Sequence, residues 1–327
     1  MAALYPLKFS TIFKDKIWGG QKIKTIMGKD FGNLPNCGET WEISGVNGNI
    51  SVVSEGALKG KDLVTLIESY QGDLVGKRVF ERFGNEFPLL VKFIDANDDL
   101  SIQVHPDDNL AKKRHDSFGK TEMWYIFQAD QGAKLNAGFV KELNANSYLK
   151  HIEDGTIMDV LNWVNVNDDY VFFLPAGRVH SIGKGCLLAE IQQTSDITYR
   201  IYDFDRVDDQ GNKRELHTQE ALDAIDYKTY DEYKTLYKKV KNEVVKLVDC
   251  QYFETNRLHF DKTVERDFGG LDSFKIYVCM DGALTLSWSG GSIPVKKGEA
   301  VLVPATIEKL TLQPEKEFKM LESYIPA

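Results

Sequence analysis

The chain holds only six histidines, and two of them sit where they could bind a metal. His105 follows Gln103 by two residues in LSIQVHPDD, and on a strand that spacing puts both side chains on one face, within reach of a common ion. His180 lies in LPAGRVHSIG just past an apolar run, where Pro175 and Gly177 make a turn able to aim the imidazole back toward a barrel mouth. Glu122, in FGKTEMWYIF, stands immediately before an aromatic strand, as a rim carboxylate would. Together these offer two imidazoles, a carboxylate and an amide oxygen. Zinc takes imidazole and carboxylate donors at about 2.0–2.2 Å and, in catalytic sites, leaves a position for water or substrate. With no sulfur in the set, softness alone does not exclude manganese, iron or cobalt. Taken singly, each residue is more ordinarily a surface or hydrogen-bonding group. The specific signal is their order, QxH then TE then PxGxxH.

Donors this far apart in the chain converge only if a sheet brings them together. The prevailing texture is short apolar, β-branched and aromatic runs separated by Gly, Asn, Asp and Pro, which reads as mainly β and favours a sandwich or barrel. Strands are expected at Leu89–Asp95, Leu100–Val104, Met123–Phe127, Val171–Leu174, Leu187–Ile191, Phe274–Met280, Ala283–Trp288 and Ala300–Val303. Helices are expected to be few: one with Leu63, Leu66, Ile67 and Tyr70 on a single face, one beginning at Pro106, a pair around Ser147–Leu161, and one around Gln219–Ile225. The texture changes over Tyr227–Lys246, where Lys, Tyr, Glu and Asp crowd together with few strong apolar anchors. A first unit over residues 1–235 and a smaller β unit over 236–327 are therefore expected. DYVFFLPAGRVHSI (Asp169–Ile182) can be laid on GEAVLVPATIEKLT (Gly298–Thr311), so that Pro175 meets Pro304 and His180 meets Lys309. On that reading the second copy lacks the metal ligand.

At 327 residues the chain exceeds the usual single domain and has room for two compact units. A net charge of −9 and a pI near 5.3 repel phosphate polymers and anionic lipid, which argues against a nucleic-acid partner. A small phosphorylated substrate is compatible if local cations overcome the mean field inside a cleft. Cys37, Cys186, Cys250 and Cys279 are far apart with no CxxC pair, so neither a sulfur zinc site nor a disulfide framework is expected, and a reducing cytoplasm fits. Lys8, Lys14 and Lys16 interrupt the weakly apolar N-terminus, and no later run approaches membrane-spanning length.

The segments LSIQVHPDD, GKTEMWYI, LPAGRVHSIG and QQTSDITYRIYDFDR resemble the motifs of type I mannose-6-phosphate isomerases in their short bacterial form. The resemblance runs from about Lys16 to His217. It implies a mainly β fold, a cupin jelly-roll barrel with a second, smaller cupin-like β domain and a few short helices. It further implies one zinc ion per chain held by Gln103, His105, Glu122 and His180, and the substrate pair mannose 6-phosphate and fructose 6-phosphate. Arg200, Glu190 and Lys120 match catalytic positions of the family; Ser101 and Asp196 match substrate-binding ones, and Trp18 lies in a segment that borders the site. The expected assembly is a monomer or homodimer.

Aldose–ketose isomerisation moves a proton between neighbouring carbons through an anionic enediol, so it needs a Lewis acid or fixed cation and a base. Arg200 is the expected cation; its ordinary role would be a salt bridge to Asp203, Asp205 or Asp196. Glu190 is the expected base, and Leu187, Leu188, Ala189 and Ile191 around it are expected to raise its carboxyl toward neutrality. Ser101 is expected at the phosphate end, with Lys120, Lys92 and Arg178 as partners. Two other readings fit a cupin with these donors. One is a non-catalytic sugar or sugar-phosphate binder, which leaves Arg200 and Glu190 without work. The other is an iron oxygenase or epimerase, which leaves Gln103 and TSDITYR without a role.

Overall fold

A computed structural model describes residues 2–207 and 210–326. The first part of the chain forms β1 (Ile12–Lys14), β2 (Glu39–Ile43), β3 (Leu89–Ala96), β4 (Ile102–Val104), β5 (Glu122–Ala129) and β6 (Lys134–Phe139). It continues with β7 (Leu161–Asn165), β8 (Val171–Leu174), β9 (His180–Ile182), β10 (Cys186–Gln193) and β11 (Tyr199–Tyr202). The remainder forms β12 (Val244–Asp249), β13 (Glu254–Phe260), β14 (Val264–Asp267), β15 (Lys275–Trp288), β16 (Gly291–Lys296), β17 (Ala300–Val303) and β18 (Lys309–Tyr324). Mainly β architecture is thus the finding.

Two sheets enclose the first core. One has six strands in the order β1, β2, β3, β10, β5, β8; the other has five, in the order β11, β4, β9, β6, β7. Between them pack Trp18, Ile94, Trp124, Ile126, Leu135, Phe172, Ile182 and Leu188. Strand alternation decides which residues enter this space: Trp124 and Ile126 of β5 point in, while Met123 and Tyr125 join a different cluster on the outer face. That outer cluster also takes Leu7, Leu66, Leu74, Ile276, Leu302 and Leu321, so the six-stranded sheet packs directly against the third, seven-stranded sheet. Leu7 and Leu302 bridge the two parts of the chain by backbone hydrogen bonds of 2.8 and 2.9 Å.

Helices are short and peripheral. Helix α1 is Lys22–Thr25, α2 Leu63–Tyr70, α3 Gly72–Val75, α4 Lys77–Phe83, α5 Asp108–His115, α6 Ala145–Glu153 and α7 Thr218–Ala224. Helix α2 buries Leu63, Leu66 and Ile67 as its spacing requires, and Asp62 caps it by accepting from the Thr65 amide at 2.8 Å. In α5 the cap is Asp107, whose side chain accepts from the Leu110 amide at 2.8 Å, so Pro106 precedes the cap instead of opening the helix. The second of the pair expected around Ser147–Leu161 is a 3-10 turn over Ile157–Val160, and Leu161 already begins β7.

Phe274–Met280 and Ala283–Trp288, expected as separate strands, are one strand. Pairing of β15 with β18 carries through two register shifts around Gly282, whose φ of 75° accommodates the irregularity. The Tyr227–Lys246 segment is anchored by tyrosines in place of aliphatics: Tyr233 is buried, the Tyr237 hydroxyl donates to the Asp169 carbonyl at 2.6 Å, and Lys234 bridges Phe172. The two laid-over segments share a layout. In the first, β8, a Pro-Ala turn and β9 follow one another, with Leu174 opposite Glu122; in the second, β17, a Pro-Ala turn and β18, with Val303 opposite Lys275.

Candidate active site

Three strands and one turn build the site. Gln103 points into the sandwich from the middle of β4, since Ile102 and Val104 join a separate cluster with Phe139, Tyr148 and Tyr199, and it pairs with His180 at the start of β9. Glu122 opens β5 on the same face as Trp124 and Ile126 and is fully buried. His105 lies one residue beyond β4, where its carbonyl accepts from the Gly177 amide at 2.9 Å, tying the β4 end to the turn before β9. Gly177 has φ 90°, and a Cβ there would stand 2.9 Å from the Ala224 carbonyl oxygen, so both conformation and space call for glycine.

His105, Glu122 and His180 are the one cluster of metal-binding geometry among the described His, Cys, Asp and Glu side chains, with donor atoms within 4.8 Å of one another. The hydrogen bonds around it define which nitrogens are free. His105 Nδ1 donates to the Ile197 carbonyl at 2.9 Å and His180 Nδ1 to the Arg178 carbonyl at 2.8 Å, which leaves both Nε2 atoms as lone pairs. Those lone pairs face the carboxylate: His105 Nε2 is 3.6 Å from Glu122 Oε2, and His180 Nε2 is 3.3 Å from Glu122 Oε1. His105 Nε2 and both Glu122 oxygens are buried without a hydrogen-bond partner. Acceptors turned toward one another in this way could hold a cation between them. Two of these spacings are near the roughly 3.3 Å between tetrahedral donors around a small divalent ion, while the set as a whole spans up to 4.8 Å. The Gln103 amide nitrogen lies 3.2 Å from His180 Nε2, so a turn about the last torsion would bring its oxygen to the same cluster. Burial pushes His180 down to about 4 and His105 well below its usual range, so both stay neutral, as ligands must. Burial, reinforced by Glu190, pushes Glu122 up to about 8 in the absence of an ion.

Beside this group opens a cleft of about 330 Å³ lined by Trp18, Ser101, Gln103, Lys120, Glu190, Asp196 and Arg200 among others. None of the three clustered residues lines this cleft itself, which reaches them through Gln103 and Lys120; larger cavities of about 620 and 840 Å³ lie elsewhere and contain neither of those two, although Asp196 borders the second of them. Lys120 Nζ is 3.6 Å from Glu122 Oε2, at the metal end. Arg200 stands opposite Gln103 in the β11–β4 ladder, donates from Nη1 to the Glu215 carbonyl at 2.9 Å, and leaves Nε without a partner. It forms no ion pair with Asp203, Asp205 or Asp196 among the described residues; Arg206 and Arg214 hold Asp203 instead. Burial, with the charges of Arg214 and Arg206, lowers the Arg200 guanidinium from its usual value, so this corner favours an anion.

Glu190 departs from its expectation. Leu187, Ala189 and Ile191 alternate to the other face of β10, and Glu190 looks into the cleft beside Lys92, whose Nζ is 3.0 Å from its Oε1. Trp124 Nε1 donates to its Oε2 at 3.0 Å. Burial pushes its carboxyl up, but Lys92, Lys120 and these hydrogen bonds outweigh that and hold it below the usual value. The carboxylate is therefore ionised, not poised near neutrality. Arg178 lies over the rings of Tyr230 and Tyr233, 4.3 and 4.8 Å from their centres, and does not line the cleft. Lys16, Glu39, Trp41, Thr198 and Arg214 do line it. Glu39 accepts from Trp41 Nε1 at 2.8 Å and has Lys16 at 3.7 Å. Only the cross-strand rows reveal Lys92 opposite Glu190 and Trp41 opposite Lys92, and no sequence signal marks Arg214.

Comparison with known proteins agrees with this layout. A family model for the catalytic domain of type I phosphomannose isomerases matches residues 6–129, and one for the cupin domain of mannose-6-phosphate isomerases matches residues 243–324. Mannose-6-phosphate isomerase ManA of Bacillus subtilis is 33% identical over 321 residues, 94% of this chain and 96% of that protein. A mannose-6-phosphate isomerase of Streptococcus mutans is 40% identical over 228 residues, 67% of each chain. Among solved structures, a mannose 6-phosphate isomerase from Bacillus subtilis has a TM-score of 0.87 at 30% identity, covering 97% of this chain and 99% of that one. A buried His–Glu–His group beside a cation-lined cleft thus sits within a cupin fold whose relatives align over nearly the whole chain, and the chain belongs to the type I mannose-6-phosphate isomerase family.

Proposed function

We propose that this protein interconverts mannose 6-phosphate and fructose 6-phosphate through an enediol, with one zinc ion held by Gln103, His105, Glu122 and His180. The observation that carries the proposal is the convergence of two imidazole lone pairs and an unpartnered carboxylate at the end of a cleft rich in cations. When bound, the metal supplies Lewis-acid stabilisation of the negative charge that develops on the carbonyl and hydroxyl oxygens. Arg200, with a buried and unpartnered Nε, adds a fixed positive charge for the same anion. Glu190 takes the proton from carbon 2 and returns it to carbon 1; Lys92 and Trp124 hold it ionised and in one orientation. Lys120 relays the second proton, giving it to the oxygen on carbon 1 and regaining it from the hydroxyl oxygen on carbon 2, while Ser101, Asp196 and Trp18 contact the rest of the sugar.

The division into a catalytic unit over 1–235 and a β unit over 236–327 belongs to the same reading. It is supported by a third sheet that uses only strands from Val244 onward. A reducing cytoplasm suits four unpaired thiols, and no helix among the described residues is long and apolar enough to cross a membrane.

A coupled assay with mannose 6-phosphate tests the proposal, run on protein as purified, after chelation and after zinc addition, alongside metal analysis. Chelation should abolish turnover and zinc should restore it; full activity in metal-free protein overturns the proposal. Binding of metal and sugar phosphate without turnover would mark a non-catalytic cupin instead.

A further inference from the structure

Strand β4 acts as a ruler along the cleft. Gln103 marks the metal end, and Ser101, on the same face two residues earlier, lies about 7 Å away along the strand. The phosphate of a sugar whose first two carbons react at the metal therefore falls toward Ser101 and beyond. Three cations expected for that end are engaged elsewhere: Arg178 on its tyrosines, Lys92 on Glu190, and Lys120 beside Glu122.

Past Ser101 the structure presents a different group. Asp203, buried at 5% exposure, receives Arg214 Nε on Oδ2 at 2.7 Å and Arg214 Nη2 on Oδ1, and Arg206 Nη2 also donates to Oδ1. Arg206 Nη1 reaches the Asp99 carbonyl, which ties the cluster to the start of β4. Two guanidiniums share one carboxylate, and the Arg200 guanidinium lies within their electrostatic reach together with Glu215, so three positive charges face two negative ones. Arg206 does not line the cleft, whereas Arg214 does and keeps a third of its side chain exposed, with Nη1 free of the Asp203 contact.

We propose that Arg214, splayed against Asp203, is a substrate-binding residue that takes the phosphate of the sugar and sets the preference for phosphorylated over free mannose. Asp203 works as a positioning residue: by occupying Nε and Nη2 it turns the remaining edge of the guanidinium toward the cleft, and a planar donor held by one edge offers its other edge without further ordering. This inference rests on the isomerase reading of the site.

The test is Arg214→Gln with Arg214→Lys as the conservative control, on zinc-loaded full-length protein. Arg214→Gln should raise KM for mannose 6-phosphate about 10–100-fold with a much smaller change in kcat, and weaken calorimetric binding of inorganic phosphate by a similar factor. Arg214→Lys should recover part of both, and zinc content and melting temperature should stay near wild type. Unchanged KM and phosphate affinity overturn the inference, as does a fall in kcat alone. Absence of turnover in the wild type would instead sink the isomerase reading, and phosphate affinity would still report on Arg214.

Discussion

His105 and His180 differ from Arg200 in what their loss removes. The two imidazoles offer lone pairs fixed by carbonyl hydrogen bonds on their other nitrogens, so His105→Ala or His180→Ala should release the metal and with it the turnover. Arg200 touches none of the metal donors by hydrogen bond, so Arg200→Ala should cut kcat about 100–1,000-fold while metal content is retained. Metal analysis next to the coupled assay separates the two outcomes, and zinc loss in the Arg200 variant would contradict the assignment. These residues were legible because histidine is scarce and each stands in a short motif of definite order. Arg214 was not, and Lys92 was expected at the phosphate end and not beside Glu190: an arginine in NKREL looks like any solvated cation until Asp203 is seen beside it, and the partner of a lysine in LVKFI is set by the neighbouring strand.

At the scale of elements, alternation along strands explains both the convergence of His105, Glu122 and His180 and the error over Glu190. Period two sends Glu122, Trp124 and Ile126 inward, and it sends three of the four apolar neighbours of Glu190 outward, so a hydrophobic sequence context became a polar spatial one. Turns matter as much. Gly177→Ala would force a side chain into φ 90° and toward the Ala224 carbonyl, displacing the backbone that holds His105. A loss of about 1–3 kcal/mol in stability and weaker metal retention are expected, measurable by denaturant melts and dialysis against a chelator. If stability falls but metal retention does not, the β4–turn linkage is not what orients His105.

For the whole molecule, the repeated strand–turn–strand unit has taken two courses. Where Glu122 stands opposite Leu174 in the first copy, Lys275 stands opposite Val303 in the second. Its ammonium is fully buried and donates to the carbonyls of Pro304, Ala305 and Ile307 at 3.1, 3.4 and 2.7 Å. One segment thus contributes to a group that could hold a metal, and the other satisfies its turn with a cation of its own. Burial nonetheless pushes Lys275 down to about 8, from 10.5 in the free side chain. Because the folded value is the lower one, the unfolded chain alone holds this proton between those two values, so stability should rise with pH across that window. Against Lys275→Met, the wild type should gain about 1–3 kcal/mol between pH 8 and pH 10 in urea melts; parallel curves would show that the ammonium is not depressed.

The sequence by itself determined the β character, the family and the three residues His105, Glu122 and His180 that the fold gathers into one cluster, because those depend on local period, on rare residue types and on short motifs. Only the tertiary structure decided which charges meet. Whether Glu190 is raised or lowered, which arginine faces the cleft, and what occupies the second copy's centre follow from side chains on neighbouring strands or distant loops. Electrostatic energy depends on distance in space and on burial, and neither can be read from separation along the chain.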